Sequence, residues 1–238
     1  MYIVVGGSQG LGKEIVEVLL DRNHEVINIS RSKCLISSSH LSNISLDISD
    51  LMNADVSYLF KDLEKIDGII FSQRFRKEGV SCKSDYYIDE YKTTVIARSI
   101  IIEAYLKYQE FSGKNNVGSI ILVGSTYSKS VGLDQNWSYH ACKYAQEAIV
   151  NYYAVHSCGK FSINLVCPAT YMKKGSEEYW NRSRKGEIWK KYPVKNLASA
   201  RSIANNIVDI LIGSTLLNTG NKIMLDGGVS HLYHDQEI

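Results

Sequence analysis

The sequence contains a tyrosine and a lysine whose types and spacing suit proton transfer. Tyr139 and Lys143 are four residues apart in a helical pattern, so both side chains fall on one helix face. A free tyrosine has a pKa of about 10, and a neighbouring ammonium group lowers that pKa because it stabilises the phenolate. Such a pair can donate a proton to a carbonyl or accept one from an alcohol. We therefore interpret Tyr139 as a candidate acid/base.

A serine upstream strengthens this interpretation. Ser125 comes fourteen residues before Tyr139 and follows an apolar, strand-like run over 119–123. Doubly wound folds place their sites at the carboxyl ends of such strands. A tyrosine–lysine pair alone is common on helix surfaces, but together with Ser125 it favours a catalytic group. The adjacent Thr126 is a candidate substrate contact.

A glycine-rich segment follows the first strand-like run and precedes an amphipathic helical pattern. Its glycines have the spacing G-x-x-x-G-x-G. Glycines let the backbone turn sharply and bring N–H groups close to a pyrophosphate, and the helix N-terminus adds a positive partial charge. A plain turn is the alternative, but the position between strand and helix favours a dinucleotide site. The predicted cofactor-binding residues are Gly6, Ser8, Gln9, Gly10, Leu11 and Gly12.

The end of the second strand bears on the choice of cofactor. A site that prefers NAD usually has an acidic residue there for the ribose diol, whereas this segment reads Ser30-Arg31-Ser32-Lys33. Arg31 and Lys33 are available to a 2′-phosphate, which favours NADP(H) over NAD(H); a solvated basic turn is the alternative. Asp47, after the third strand, could contact the adenine or cap the next helix.

The elements that must position these residues are visible as apolar runs that alternate with helical patterns. Strands are predicted over 2–5, 26–29, 44–46, 66–71, 119–123, 161–167 and 222–225, and the clearest helices over 13–22, 89–109, 138–156 and 198–212. Alternation of this kind predicts right-handed crossovers and a parallel sheet that is covered on both faces. We therefore predict an α/β fold, a doubly wound, seven-stranded parallel sheet with helices on both faces (a Rossmann fold), as a single domain over 1–238.

Composition excludes several classes of protein. The chain has 238 residues, of which 45% are hydrophobic and 22% charged, as in ordinary globular proteins. A net charge of +2 gives no general case for binding nucleic acid or a membrane surface. The five cysteines form no C-x-x-C pair, and no acidic or cysteine partner at helical spacing makes a convincing metal site with the histidines near the C-terminus, so we predict no metal site. No leader and no bilayer-length apolar run is recognised, so a cytoplasmic location is expected.

With these motifs the chain resembles the short-chain dehydrogenase/reductase family, in its short single-domain branch. The resemblance covers residues 2 to about 230 and includes the segment T-G-N-K-I-M-L-D-G-G at 219–228. It implies hydride transfer between a nicotinamide cofactor and a carbonyl/alcohol pair, and a homodimer or homotetramer. It also implies that Tyr139 is the acid/base, that Lys143 holds the nicotinamide ribose, and that Ser125 hydrogen-bonds the substrate oxygen.

The chain departs from the family pattern on the substrate side of the site. The family's N-N-A-G after the fourth strand is replaced by F-S-Q-R, so Arg74 stands where a glycine is usual. The asparagine expected in the long helix aligns with Thr94. Both Arg74 and Thr94 are candidate substrate contacts.

The segment after the sixth strand departs as well. The usual P-G is Pro168 followed by alanine, and the threonine expected soon afterwards aligns with Lys173, with Thr170 as a substitute. Pro168 remains a predicted cofactor contact.

Substrate choice in this family resides in a variable loop, here about 171–195. The loop holds eight basic and three acidic residues, a net charge of +5. These are Lys173, Lys174, Arg182, Arg184, Lys185, Lys190, Lys191 and Lys195, with Glu177, Glu178 and Glu187. Aromatic residues are interleaved: Tyr171, a candidate substrate contact, and Tyr179, Trp180, Trp189 and Tyr192. The loop is either a solvated lid whose aromatics pack on the body or a lid that closes over an anionic substrate, in which case Arg74, Arg76 and Lys77 could face the same cleft.

Two functions are consistent with these patterns. The first is an NADP(H)-dependent oxidoreductase that interconverts a carbonyl and an alcohol on a small polar substrate, anionic or sugar-like. The alternative is a catalytically weak or inactive relative that acts as an NADPH-binding sensor or regulator. The intact Ser125, Tyr139 and Lys143 favour the enzyme, whereas the changes at Arg74 and Thr94 favour the sensor. The expected partner is a small molecule, with no nucleic acid and no membrane.

Overall fold

Seven parallel strands form the centre of the structure, a computed structural model. It describes residues 1–61, 63, 65–75, 83–111, 117–131, 135–173, 175, 178, 193–194 and 196–231. The strands are β1 Tyr2–Val5, β2 Val26–Ser30, β3 Leu41–Ser45, β4 Gly68–Phe71, β5 Gly118–Val123, β6 Phe161–Pro168 and β7 Lys222–Leu225. Their spatial order is β3-β2-β1-β4-β5-β6-β7, and the six pairings are parallel. This confirms the predicted doubly wound, seven-stranded sheet.

Helices cover both faces of this sheet. They are α1 Gly10–Asp21, α2 Lys83–Tyr91, α3 Ala97–Phe111, α4 Trp137–His156 and α5 Ala200–Gly213, with a π-helical segment Lys92–Ile96 between α2 and α3. On one face α1 and α5 bury a cluster that includes Ile15, Leu19 and Ile207. On the other face α3 and α4 bury a cluster that includes Ile101 and Tyr105. Burial of both faces explains why the central strands are apolar along their whole length.

Most predicted boundaries differ from the structure by one to six residues. The third strand is Leu41–Ser45 rather than 44–46, because the run L-S-N-I-S at the sheet edge has few apolar residues to mark it. The fourth strand begins at Gly68 rather than at residue 66, and the carboxylate of the preceding Asp67 binds the N-terminal amine at 2.5 Å. The helix predicted from residue 89 begins at Lys83, and the π-helical segment interrupts it.

The sheet order brings the carboxyl ends of β1, β4, β5 and β6 to one edge. From β1 the chain proceeds through β2 and β3 to one side, and from β4 it proceeds to the other side. Ligands of open α/β sheets bind at this kind of switch point, outside the carboxyl ends of the strands. None of the helices in the described residues has the length and apolar character of a membrane span.

Candidate active site

A cavity of about 1220 Å³ lies at this edge. Its wall contains nearly all of the residues singled out from the sequence. They are Gly6, Ser8, Gln9, Gly10, Leu11, Gly12, Arg31, Asp47, Arg74, Ser125, Thr126, Tyr139, Lys143, Pro168 and Tyr171. The glycine loop, the basic turn and the tyrosine–lysine pair therefore belong to one cleft, although they are distant in sequence.

The glycine loop between β1 and α1 has little room for side chains. Gly6 has φ +89°, a left-handed conformation that favours glycine. A Cβ atom on Gly6 would lie 2.6 Å from the backbone of Gln73, and one on Gly12 would lie 2.0 Å from the Gly6 carbonyl oxygen. No side chain caps the first N–H groups of α1. These N–H groups and the helix dipole can therefore bind a pyrophosphate.

A buried asparagine fixes this loop to the sheet. The Asn28 side chain is fully buried in β2, and its Oδ1 accepts a hydrogen bond from the Gly7 N–H at 2.9 Å. Its Nδ2 donates to Asn43 Oδ1 at 2.8 Å, which ties β2 to β3. Asn28 was missed in the sequence interpretation, although a polar residue in an apolar strand is a signal that could have found it.

The turn after β2 carries Arg31 on the cavity wall, with an exposed side chain. Ser45 Oγ donates to the Arg31 carbonyl oxygen at 3.0 Å, which holds the turn against the end of β3. Asp47 accepts a hydrogen bond from the Ser49 N–H at 3.0 Å and so caps the short helix Ile48–Asn53. Asp47 also lies on the wall, so capping is confirmed, while a contact with adenine stays a prediction.

The catalytic end of the cleft is formed by β5 and α4. Ser125 lies two residues after the end of β5, and its Oγ accepts a hydrogen bond from the Tyr127 N–H at 3.2 Å. Tyr139 and Lys143 lie on one face of α4, with Lys143 Nζ 5.4 Å from the centre of the Tyr139 ring. Lys143 Nζ also lies 3.4 Å from the Val123 carbonyl oxygen, so the ammonium group is held against β5.

The environment of Lys143 is both buried and positive. Its side chain is 5% exposed. Burial, helped by the charges of Arg98 and Arg74, lowers the pKa of Lys143 to about 7. The amine can therefore change its protonation state near neutral pH, which suits a group that assists proton transfer.

Arg74 reaches the same tyrosine from the end of β4. Its guanidinium carbon lies 4.9 Å from the centre of the Tyr139 ring, and its Nη2 donates to Gln135 Oε1 at 2.9 Å. The residue that replaces the usual glycine therefore lies over the candidate acid/base. Gln135 and Gln73 also line the cavity, and neither was predicted from the sequence.

The long helix presents a different threonine from the one predicted. Both threonines are buried, and Thr93 lies on the cavity wall whereas Thr94 does not. Both residues belong to the π-helical segment Lys92–Ile96. A π-helix has a wider turn than an α-helix and shifts the face that each residue presents. A contact between Thr94 and the substrate therefore has no support in the cavity geometry.

The variable loop is described only in part. Tyr171 and Lys173 lie on the cavity wall, and Met172 forms a β-bridge with Ser199, which anchors the start of the loop. Its other basic and aromatic residues, and Arg76 and Lys77 after β4, lie outside the described residues. The predicted lid therefore stays a prediction.

Comparison with known proteins identifies the family. The family model described as enoyl-(acyl carrier protein) reductase matches residues 6–230. L-xylulose reductase of Caenorhabditis elegans is 23% identical over 96% of this chain and 95% of its own length.

Two solved structures show the same fold. ElxO with NADP bound has a TM-score of 0.79 at 20% identity, over 97% of this chain and 99% of its own. A short-chain dehydrogenase of Leptospira borgpetersenii with bound NAD+ has a TM-score of 0.82 at 16% identity, over 96% of this chain and 92% of its own. From the family match, the chain belongs to the short-chain dehydrogenase/reductase family and is an oxidoreductase.

Proposed function

We propose that the protein is an NADP(H)-dependent oxidoreductase that interconverts a carbonyl and an alcohol on a small, polar, anionic substrate. The observation that carries this proposal is the arrangement around Tyr139, which has Lys143 and Arg74 on its ring at the end of the cleft. The glycine loop fits a dinucleotide, because it lines the cavity and no side chain caps the first N–H groups of α1. When bound, the nicotinamide supplies or accepts the hydride.

The protein's own groups handle the proton and the substrate oxygen. The Tyr139 hydroxyl donates a proton to the carbonyl oxygen during reduction and accepts it back during oxidation. Lys143 and Arg74 stabilise the phenolate that forms. The hydrogen bond from the Tyr127 N–H fixes Ser125 Oγ, so the Ser125 hydroxyl can donate to the same substrate oxygen and support its developing charge.

The choice of NADP(H) rests on the turn after β2. Arg31 lies on the wall there, and a guanidinium group recognises phosphate in a bidentate way. Structures of the same fold hold either cofactor, NADP in ElxO and NAD+ in the Leptospira dehydrogenase. The discrimination therefore depends on this chain's own residues, and Arg31 favours the cofactor that carries the additional phosphate.

The substrate class is supported by the charge of the wall. Arg74 and Lys173 line the cavity, so a carboxylate or phosphate near Tyr139 would meet positive charge. The similarity to an L-xylulose reductase supports a sugar-like carbon skeleton. The substrate that best satisfies both observations is an anionic, sugar-like carbonyl compound, such as a keto acid or a phosphorylated keto sugar.

The assembly and location are also part of this proposal. One outer face carries exposed apolar side chains on α2 and α4: Ile88, Tyr91, Trp137, Tyr144, Tyr152 and Val155. Contact between such faces would bury apolar area and give a homodimer or homotetramer. The described cysteines are free thiols, which suits the cytoplasm. Neither nucleic acid nor a membrane is a proposed partner.

The test is to mix the protein with NADPH and a panel of neutral ketones, keto sugars, keto acids and sugar phosphates, and to follow NADPH absorbance. Tyr139→Phe should lower kcat/KM by about 100-fold or more without changing the Kd of NADPH, because only the transferred proton is removed. Tyr144→Phe, the same change at an exposed position of α4, is the matched control. Tight NADPH binding without turnover of any carbonyl would support the NADPH sensor instead.

A further inference from the structure

A buried arginine lies behind the catalytic residues. Arg98, on α3, is 0% exposed, and its Nη2 donates to the Gln73 carbonyl oxygen at 3.0 Å. Its Nε and Nη1 atoms have no hydrogen-bond partner among the described residues. A buried guanidinium is normally paired with a carboxylate, because an unpaired buried charge is costly. Because burying the unpaired Arg98 charge is costly in free energy, its presence behind the catalytic residues indicates a role in the site.

The charge of Arg98 acts on the groups of α4. Burial lowers the pKa of Arg98 to about 9, and the groups that oppose this effect are Cys142 and Tyr139. Arg98 in turn lowers the pKa of Lys143, with a smaller contribution from Arg74. We call Arg74, Arg98 and Lys143 the cation cluster, in which Lys143 is only partly protonated at pH 7 because its pKa is about 7.

The other titratable groups at this end offset the cation cluster only in part. Burial raises the pKa of Cys142 and of Cys167, so both thiols are neutral at pH 7. Glu90 of α2 is buried and accepts a hydrogen bond from Ser138 Oγ, and its negative charge acts on Cys142. Asp89 lies on the wall with Lys92 Nζ at 3.9 Å.

The remaining acid on the described wall is far along the cleft. Asp47 caps the short helix beyond β3, next to the basic turn. The part of the cleft around Tyr139 therefore carries excess positive charge among the described residues.

We propose that the cation cluster makes this site select the reduced cofactor and favours reduction over oxidation. This inference rests on the proposed function, because it requires a nicotinamide dinucleotide in the cleft. The oxidised nicotinamide ring carries a positive charge, whereas the reduced ring is neutral. A positive potential disfavours the oxidised ring and leaves the neutral ring unaffected.

The same potential assists the chemical step in the direction of reduction. A bound reduced nicotinamide would supply the hydride, with its electron pair, to the carbonyl carbon and would be left as the oxidised, positively charged ring. The C=O π electrons move to the oxygen, which takes the proton of the Tyr139 hydroxyl. The phenolate that remains is stabilised by the cation cluster and regains a proton from solvent. The positive charge of the cation cluster would disfavour an oxidised ring in the site and so favour its release.

Cofactor binding tests this inference without any substrate. We would measure the Kd of NADPH by fluorescence and the Kd of NADP+ by calorimetry, both at pH 7. The wild-type protein should bind NADPH at least about tenfold more tightly than NADP+. In Arg98→Met the ratio of the Kd of NADP+ to the Kd of NADPH should fall by about three- to tenfold, mainly because NADP+ binds more tightly. Arg98→Lys keeps the charge and should therefore keep most of the preference for NADPH over NADP+.

Two further variants make the outcome decisive. Arg22→Met removes a surface arginine that pairs with Asp209 at 2.6 Å, and should leave the ratio unchanged. Arg74→Gln removes an exposed member of the cation cluster and should lower the ratio even if Arg98→Met does not fold. Equal affinities in the wild-type protein, or an unchanged ratio in both Arg98→Met and Arg74→Gln, would overturn the inference. Failure to bind either cofactor would overturn the proposed function and, with it, this inference.

Discussion

The guanidinium carbon of Arg74 lies 4.9 Å from the centre of the Tyr139 ring. A cation at this distance interacts favourably with the ring face and, more strongly, with the phenolate. Its Nη2 donates to Gln135 Oε1, which also lines the cavity, so this hydrogen bond orients the Arg74 guanidinium group. Arg74 can therefore influence both the acid/base and an incoming anion.

The first prediction concerns the substrate charge. Arg74→Gln should raise the KM of a carboxylate or phosphate carbonyl substrate by about 10- to 100-fold, because a charge-assisted hydrogen bond contributes roughly 1.5–3 kcal/mol. The KM of a neutral carbonyl substrate should change little. Arg74→Lys keeps the charge but loses the bidentate guanidinium group. Its KM for the charged substrate should therefore lie between that of the wild-type protein and that of Arg74→Gln. Equal effects on charged and neutral substrates would exclude Arg74 as the anion contact.

The second prediction concerns the choice of cofactor. Arg31→Ala should raise the Kd of NADPH by about tenfold or more and leave the Kd of NADH unchanged, because the lost contact is to the 2′-phosphate. Lys33→Ala is the matched comparison, since Lys33 is an exposed cation two residues away that does not line the cavity. Fluorescence titration measures both constants. A wild-type preference for NADH would contradict the assignment of Arg31.

The third prediction concerns the glycine loop between β1 and α1. In Gly12→Ala the new Cβ atom would lie 2.0 Å from the Gly6 carbonyl oxygen, so the loop must move. We expect a loss of about 1–3 kcal/mol in the free energy of unfolding, as for other overpacked sites, and weaker binding of either dinucleotide. Gly213→Ala is the control, because its Cβ atom meets no atom within 4 Å. Denaturant unfolding and cofactor titration check both effects.

The fourth prediction concerns pH. The pKa of Lys143 is about 7 in the folded protein, below its ordinary value of 10.5. Between these values the unfolded chain binds the proton and the folded protein does not, so this group makes stability rise with pH. The cofactor-free protein should therefore gain up to about 2 kcal/mol from Lys143 between pH 7 and 9, relative to Lys143→Met. Denaturant unfolding of the two proteins at both pH values measures this difference, and equal pH slopes would contradict it.

Local patterns in the sequence were sufficient for the fold and for the core of the site. An apolar run marks β1 at Tyr2–Val5, the predicted bounds. A helical spacing of four residues puts Tyr139 and Lys143 on one face of α4, and the glycine spacing marks the loop between β1 and α1. These features depend on neighbouring residues, whose periodicity is written directly in the chain.

The tertiary structure alone decided which distant residues meet at Tyr139. Arg74 follows a different strand, and Arg98 comes from α3, where a single arginine among isoleucines looks like a surface residue in the sequence. The π-helical segment puts Thr93 rather than Thr94 on the wall, and no local spacing indicates that extra residue in the turn. The sequence by itself therefore determined the sheet, the glycine loop and the acid/base pair. The charge around that pair depends on the packing of three separate segments, and only the folded chain brings them together.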